Sequence, residues 1–235
     1  MKIADLFRRL SYGQLSNLSI SNNGSGEIVE AKHPQMIQYA NEALLNLYTR
    51  FVLKEKNLLI QQVEGITSYH LERKFAETSG SDAPHRYIKD LPDEPFMGDS
   101  IRILAVYDEF GRKMRLNDQE DPASLFTPSL NELQIPRPEH GRPLGITYQA
   151  RHPELDDRPG KIINQEIILP FIFEAPLQNF IGYLTYCHMN GQENIVKGQE
   201  YLGAYEAKCV EVEQRDLVNQ TFHTSQDKLD DRGFV

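Results

Sequence analysis

The densest grouping of oxygen ligands in this chain is Asp118, Glu120 and Asp121, directly after Asn117. A loop that encloses a hard divalent cation needs such oxygens at set offsets, a late bidentate Glu and a sharp Gly turn. Pro122 stands where that turn would be, so the cluster reads as solvated loop acids, with a calcium or magnesium site as the alternative. Asp156-Asp157 and Asp230-Asp231 offer less. The histidines at 33, 70, 85, 140, 152, 188 and 223 are dispersed, and no two stand four residues apart where one helix face could aim both at a metal. His188 falls on an apolar helical face, which suits a core or interface role. Cys187 and Cys209 lack a CxxC neighbour and both fall in helical patterns. Two reduced buried thiols are expected, a bridge between packed helices being the alternative. There is no Gly-rich phosphate loop, no HExxH and no GxSxG. No catalytic residue, metal ligand or cofactor is assigned.

Composition narrows the class further. The 235 residues carry a formal charge of −9, with 40% hydrophobic and 25% charged side chains. A chain of this length buries roughly 70–75% of its unfolded surface and needs no staple to fold. The acidic balance argues against a nucleic-acid clamp, whose affinity comes from Lys and Arg on phosphates. The excess acid is uneven: residues 76–130 hold 11 acidic against 6 basic groups, whereas residues 1–75 are near neutral. The longest apolar candidate, Ile162 to Phe173, is broken by Asn164, Gln165, Glu166 and Pro170, so no membrane span is expected. Met1-Lys2-Ile3-Ala4-Asp5 is charged where a signal peptide needs apolar residues, so no secretory address is expected.

The elements follow from periodicity. Ile3, Leu6, Phe7 and Leu10 mark a short helix ending near Gly13. Pro34 begins a second, with Ile37, Ala40, Leu44, Leu47 and Phe51 on one stripe. Leu59 to Ser68 reads as extended around a break at Gly65, and residues 77–99 as an exposed loop. Ile101 to Tyr107 alternates, Asp108-Glu109-Phe110-Gly111 supplies a turn, and Lys113 to Leu116 returns, predicting a β-hairpin. Short strands are predicted at 132–135 and 144–150, and a final one from Ile162 to Leu169. Two helices close the pattern, one with Leu177, Ile181 and Leu184, the other from about 193 to 218 with Ile195, Leu202, Tyr205, Cys209 and Val212. The short Asn190-Gly191-Gln192 link predicts an antiparallel pair. Periodicity fades after Val218. The expected class is α+β: a helical bundle built from N-terminal helices (1–56) and a C-terminal pair (170–218), an inserted β and loop region (57–169), and an extended tail (219–235).

Taken in order, the segments IADLFRRLSYGQLSNL, HPQMIQYANEALLNLYTRF, IRILAVYDEFGRKMRLND, LGITYQARHP, IILPFIFEAPLQNFIGYLTYCHMN and DDRGFV cover most of the chain. Together they make it resemble the head-to-tail adaptors of tailed bacteriophages, the neck or tail tubular A-type proteins, in their short-tailed version. That resemblance implies a homo-oligomeric ring, typically dodecameric, in the virion neck between capsid and tail. It implies portal protein above, a tail or nozzle protein below, and DNA passing through the lumen without specific binding. The tail would dock on the portal, with Phe222, Leu229, Phe234 and Val235 as apolar anchors. Two other classes compete: a monomeric cytoplasmic binding module that recruits a partner through its C-terminal tail, and a metal-dependent hydrolase built on Asp118.

Overall fold

A computed structural model describes residues 1–91, 94–158, 160–215 and 217–218, with side chains given for all but 22–24. The class is α+β, as the periodicities predict. The chain forms two compact units, one from Met1–Leu47 with residues 155–235, the other Tyr48–Glu154.

In the first unit the helices occupy the stretches where the apolar period is 3.6. Helix α1 (Ile3–Tyr12) buries Ile3, Leu6, Phe7 and Leu10, and Gly13 ends it by donating its N–H to the Arg9 carbonyl. Helix α2 (His33–Arg50) starts with Pro34 in its first turn, where a missing N–H costs nothing, and buries Met36, Ile37, Ala40, Ala43, Leu44 and Leu47. Helices α3 (Glu174–Cys187) and α4 (Gln192–Gln214) are joined through Gly191, whose φ of 112° suits only glycine. They pack antiparallel. A Cβ on Gly198 would meet Cys187 and Tyr183, a Cβ on Gly182 would meet Tyr201, and the rings of Phe180 and Tyr205 lie 4.9 Å apart. The carbonyl of Gln14, just past α1, accepts the hydroxyls of both Tyr186 and Tyr201. Asn46 on α2 accepts the Tyr205 hydroxyl.

The Cys187–Cys209 bridge is excluded by this register. Cys187 lies against Gly198, and Cys209 sits about 16 Å farther along α4 at the helical rise. The expected strand from Ile162 to Leu169 also fails to form. Residues Ile162–Asn164 make a 3₁₀ turn, and residues 165–167 pair with the N-terminal stub. Ile3 N–H donates to the Gln165 carbonyl, Ile167 N–H to the Met1 carbonyl, and the amino terminus to the Ile167 carbonyl. An apolar, β-branched run forms a strand only where a ladder is offered, and here two residues of chain offer one. This segment therefore goes with the helices, and the strand-rich unit ends at Glu154.

The second unit holds two antiparallel sheets. Strands β1 (Glu55–Gln61), β2 (Ser68–His70), β3 (Ile88–Lys89), β4 (Ser100–Tyr107), β5 (Phe126–Ser129), β6 (Glu132–Gln134) and β7 (Pro143–Ala150) arrange as β3-β1-β7-β4 and β2-β6-β5. The register sets Leu58 opposite Ile146 and Ile60 opposite Leu144, so their side chains enter one core with Tyr69, Val106, Leu133 and Tyr148. The turn after β4 forms as expected: Asp108 accepts the N–H groups of Phe110 and Arg112, and Gly111 takes φ +76°. Its return is shorter than a strand. On the edge of β4 that β7 leaves open, Lys113 bridges to Tyr107 and the Met114 N–H donates to the Val106 carbonyl. The polar stretch 77–99 is not wholly exposed. Tyr87, Ile88 and Phe96 are buried there, Ile88 pairing with β1 and Phe96 packing edge-on against Tyr148.

The close approach of α3 and α4 is open to a direct test. Gly198→Ala would place a Cβ 2.6 Å from Cys187 Sγ, with backbone atoms at 3.4 Å on two further sides. Overpacking of about 1–3 kcal/mol should exceed the gain of up to about 1 kcal/mol in helix propensity. Urea melts should show Gly198→Ala destabilised and Cys187→Ala restoring most of the loss in the double variant.

Candidate functional site

The chemistry-bearing residues resolve into structural roles. Asp118 accepts the Glu120 N–H, Asp121 accepts the Ala123 N–H, and Arg115 reaches Asp118 at 3.3 Å. Asp118 and Asp121 thus each close an Asx turn beside one guanidinium. Among the described residues no group of three His, Cys, Asp or Glu side chains could hold a metal ion. Among the described histidines, His85 and His140 line one cavity of about 340 Å³ with Gln61, Gln62 and Arg86, without a third ligand beside them. His33 Nε2 meets the Ile28 carbonyl at 2.9 Å, and His188 stacks on Tyr39 while its Nδ1 meets the Leu184 carbonyl.

Perturbed groups have equally structural causes. Charge-assisted hydrogen bonds from Arg158 pull the Asp156 carboxyl down to about 2. Burial pushes the Tyr48 hydroxyl up to about 12 and raises Tyr148 further, the latter beside Asp99. Burial alone would lower Lys56, but Asp99 at 3.0 Å and Glu94 at 3.2 Å reverse it and hold the ammonium above its ordinary value. That is a paired internal charge, with the Tyr148 hydroxyl completing Asp99. None of these pairs sets an acid against a base around an open cleft, the arrangement that acid–base catalysis uses.

What remains is surface. In the first unit, two adjoining cavities of about 620 and 680 Å³ share Glu30, His33 and Ile163. Phe7, Ile28, Val29 and Pro34 supply apolar wall, and Arg8, Glu27 and Asn164 supply polar edge. The wall is fixed: His33 rests on the Phe7 ring at 4.9 Å, and Val29 N–H donates to the Ile20 carbonyl. Ile168 and Phe171 stand exposed on the segment tied to the N-terminus. A mostly apolar concavity with a few polar groups is the usual form of a binding site.

Sequence reading missed both parts. The groove draws on segments 4–8, 26–34 and 160–164, which no linear pattern joins. Phe171 carried a signal, since it precedes the Leu177, Ile181, Leu184 stripe and follows Pro170. The residues that were singled out, Phe222, Leu229, Phe234 and Val235, lie outside the described residues. No helix among the described residues is long and apolar enough to cross a membrane. No family model and no curated protein matches the chain.

His152 makes the second unit sensitive to acid. Its ring is 7% exposed, edge-on to Tyr48 at 5.5 Å, and Nδ1 meets the Pro153 carbonyl. Burial lowers its pKa, so the neutral form is favoured by folding. The stability this contributes is complete above the unfolded value near 6.5 and is lost as pH falls through the lowered folded value. Melts between about pH 7 and 5 should therefore show stability falling with acid, with a smaller slope in His152→Leu. An identical slope in the variant would assign the acid sensitivity elsewhere.

Proposed function

We propose that this chain is a structural assembly protein, a ring-forming head-to-tail adaptor that joins portal to tail in a short-tailed phage virion and continues the DNA channel. It acts through contacts, not through bond-making chemistry. The observation that carries this reading is the order of parts along the chain. A strand-rich unit at residues 48–154 interrupts a helical one, so that the N-terminal helices and the α3–α4 pair belong to one compact body. This is the order that the resemblance to adaptors implies. Support also comes from the surface of the helical unit, which has a fixed apolar groove and, separately, exposed apolar side chains.

The charge suits a conduit. Lys197 and Lys208 on α4 each pair with a glutamate one turn away, Glu200 and Glu211, so they are engaged within the helix. With a net charge of −9 per copy, a ring would repel phosphate and let DNA pass. A segment that orders on binding suits assembly onto a preformed partner, because its entropy cost falls at the moment of contact.

The docking role of the tail has a separable test. Helix α4 closes before the tail begins, with Arg215 N–H donating to the Glu211 carbonyl and Leu217 N–H to the Val212 carbonyl. Residues 1–218 should therefore melt like the full chain. In pull-down with the portal protein encoded alongside it, the full chain should bind and the truncated chain should lose at least tenfold in affinity. Equal binding by the two would contradict the tail's role.

A further inference from the structure

The cavity of about 340 Å³ in the strand-rich unit is walled by Gln61, Gln62, Pro84, His85, Arg86 and His140. Backbone hydrogen bonds bring its three segments together. Gln61 N–H donates to the Tyr87 carbonyl at 2.8 Å, and Gly141 N–H donates to the Gln62 carbonyl at 2.9 Å. Tyr87 itself is buried and spends its hydroxyl on the backbone of His70.

The polar side chains of this wall offer donors. Gln62 is 3% exposed, and its Oε1 accepts the Glu139 N–H at 2.8 Å. A backbone N–H can only donate, so that contact assigns the oxygen and leaves Nε2 as the other end of the amide. Nε2 has no hydrogen-bond partner among the described residues. Buried amides ordinarily have their hydrogen bonds filled, so an unused NH₂ on a cavity wall calls for an acceptor. The Arg86 guanidinium makes one hydrogen bond, to the Glu77 carbonyl at 3.2 Å, and the rest of its fork is unused. The rings of His85 and His140 have no partner among the described residues, and an imidazole always carries at least one N–H.

Charge decides the class of ligand. Residues 76–130 hold 11 acidic against 6 basic groups, yet no Asp or Glu among the described residues lines this cavity. Gln62 also borders a second cavity of about 260 Å³, but there Glu139 is on the wall and Arg142 is already paired with Glu139 and Glu109. In the first cavity a divalent cation would find two imidazoles but neither carboxylate nor thiolate, with a guanidinium beside them. An oxyanion would meet donors, and the planar guanidinium fork matches two of its oxygens. The volume lies near the lower end for small-molecule sites, which suits a small ligand.

We propose that this cavity binds a small tetrahedral oxyanion of the phosphate type, held by Gln62 Nε2, the Arg86 guanidinium and the rings of His85 and His140. The site lies wholly in the strand-rich unit and needs no second copy, so it holds whether or not the chain forms a ring. Once bound, the anion ties the loop carrying His85 and Arg86 to the Gln62 and His140 segments.

The test titrates the full chain with sodium phosphate at constant ionic strength, followed by ¹H–¹⁵N spectra. Saturable shifts are expected at the Gln62 side-chain amide and at the backbone amides of 61–63, 84–87 and 139–141, with none from sodium chloride. Arg86→Gln changes an exposed side chain, so it should melt like wild type in phosphate-free buffer while binding phosphate at least tenfold more weakly. Gln62→Glu keeps an oxygen for the Glu139 N–H but replaces the free donor with a second oxygen, and should weaken phosphate by at least as much. Phosphate shifts that do not saturate or that map elsewhere would overturn the proposal, as would unchanged affinity in Arg86→Gln. Acetate binding as tightly as phosphate would overturn the ligand class. Saturable shifts of the same groups with zinc chloride but not with phosphate would make this a cation site instead.

Discussion

A strand-rich unit set into the middle of a chain must have its first and last residues held together, and in this protein the buried side-chain amide of Gln149 does so. Its Nε2 donates to the carbonyls of Tyr48 and Phe51, where the chain enters the unit, while Gln149 itself lies one residue from the end of β7. Arg102 Nε on β4 occupies its Oε1 at 2.7 Å, which fixes which end of the amide donates. Ala150 N–H then reaches the Lys54 carbonyl, and the His152 ring lies against Tyr48. A fully buried amide is tolerated only when its donors and acceptor are used, and here both ends are engaged. The pairing of β1 with β7, from Glu55 opposite Gln149 to Gln61 opposite Pro143, runs outward from this closure. The core residues Leu58, Ile60, Leu144 and Ile146 inherit their register from it.

Much of the fold was legible because its helices obey a single period. The stripes of α2 and α3 and the Tyr205, Cys209 and Val212 part of α4 depend on local spacing, whereas Ile195, expected on the α4 stripe, is exposed; the glycine at 191 announced the link between the last two helices. Strand β4 and its Asp108 turn were legible for the same reason. The misreadings lie where pairing outweighs composition. Ile88 is one of only two residues in β3, and nothing in the surrounding prolines, glycines and acids signals that β1 will bind it. The run from Ile162 has the opposite fault, a strand-like composition whose ladder shrinks to one bridge between Glu166 and Lys2. Gln149 could not be recognised as a closure, since alternation along β7 fails at its end, where Tyr148, Gln149 and Ala150 are all buried.

The candidate site was less legible than the fold for a related reason. Contact surfaces consist of ordinary apolar residues whose meaning depends on exposure, and exposure is a property of the folded chain. Phe171 and Phe173 are alike in sequence context, yet one is 82% exposed and the other fully buried. The acids that attracted attention as possible ligands, Asp118 and Asp121, prove to be turn formers with Arg115 nearby. The excess acid is concentrated in residues 76–130, with 11 acidic against 6 basic groups.

The claim that unites these observations is that the chain works as one copy among many around an axis. Electron microscopy of the full-length protein mixed with its portal tests that claim most directly. The account predicts a closed ring of adaptor density stacked coaxially on the portal, with an open central channel. Portal particles that remain bare while the protein stays monomeric beside them would contradict it.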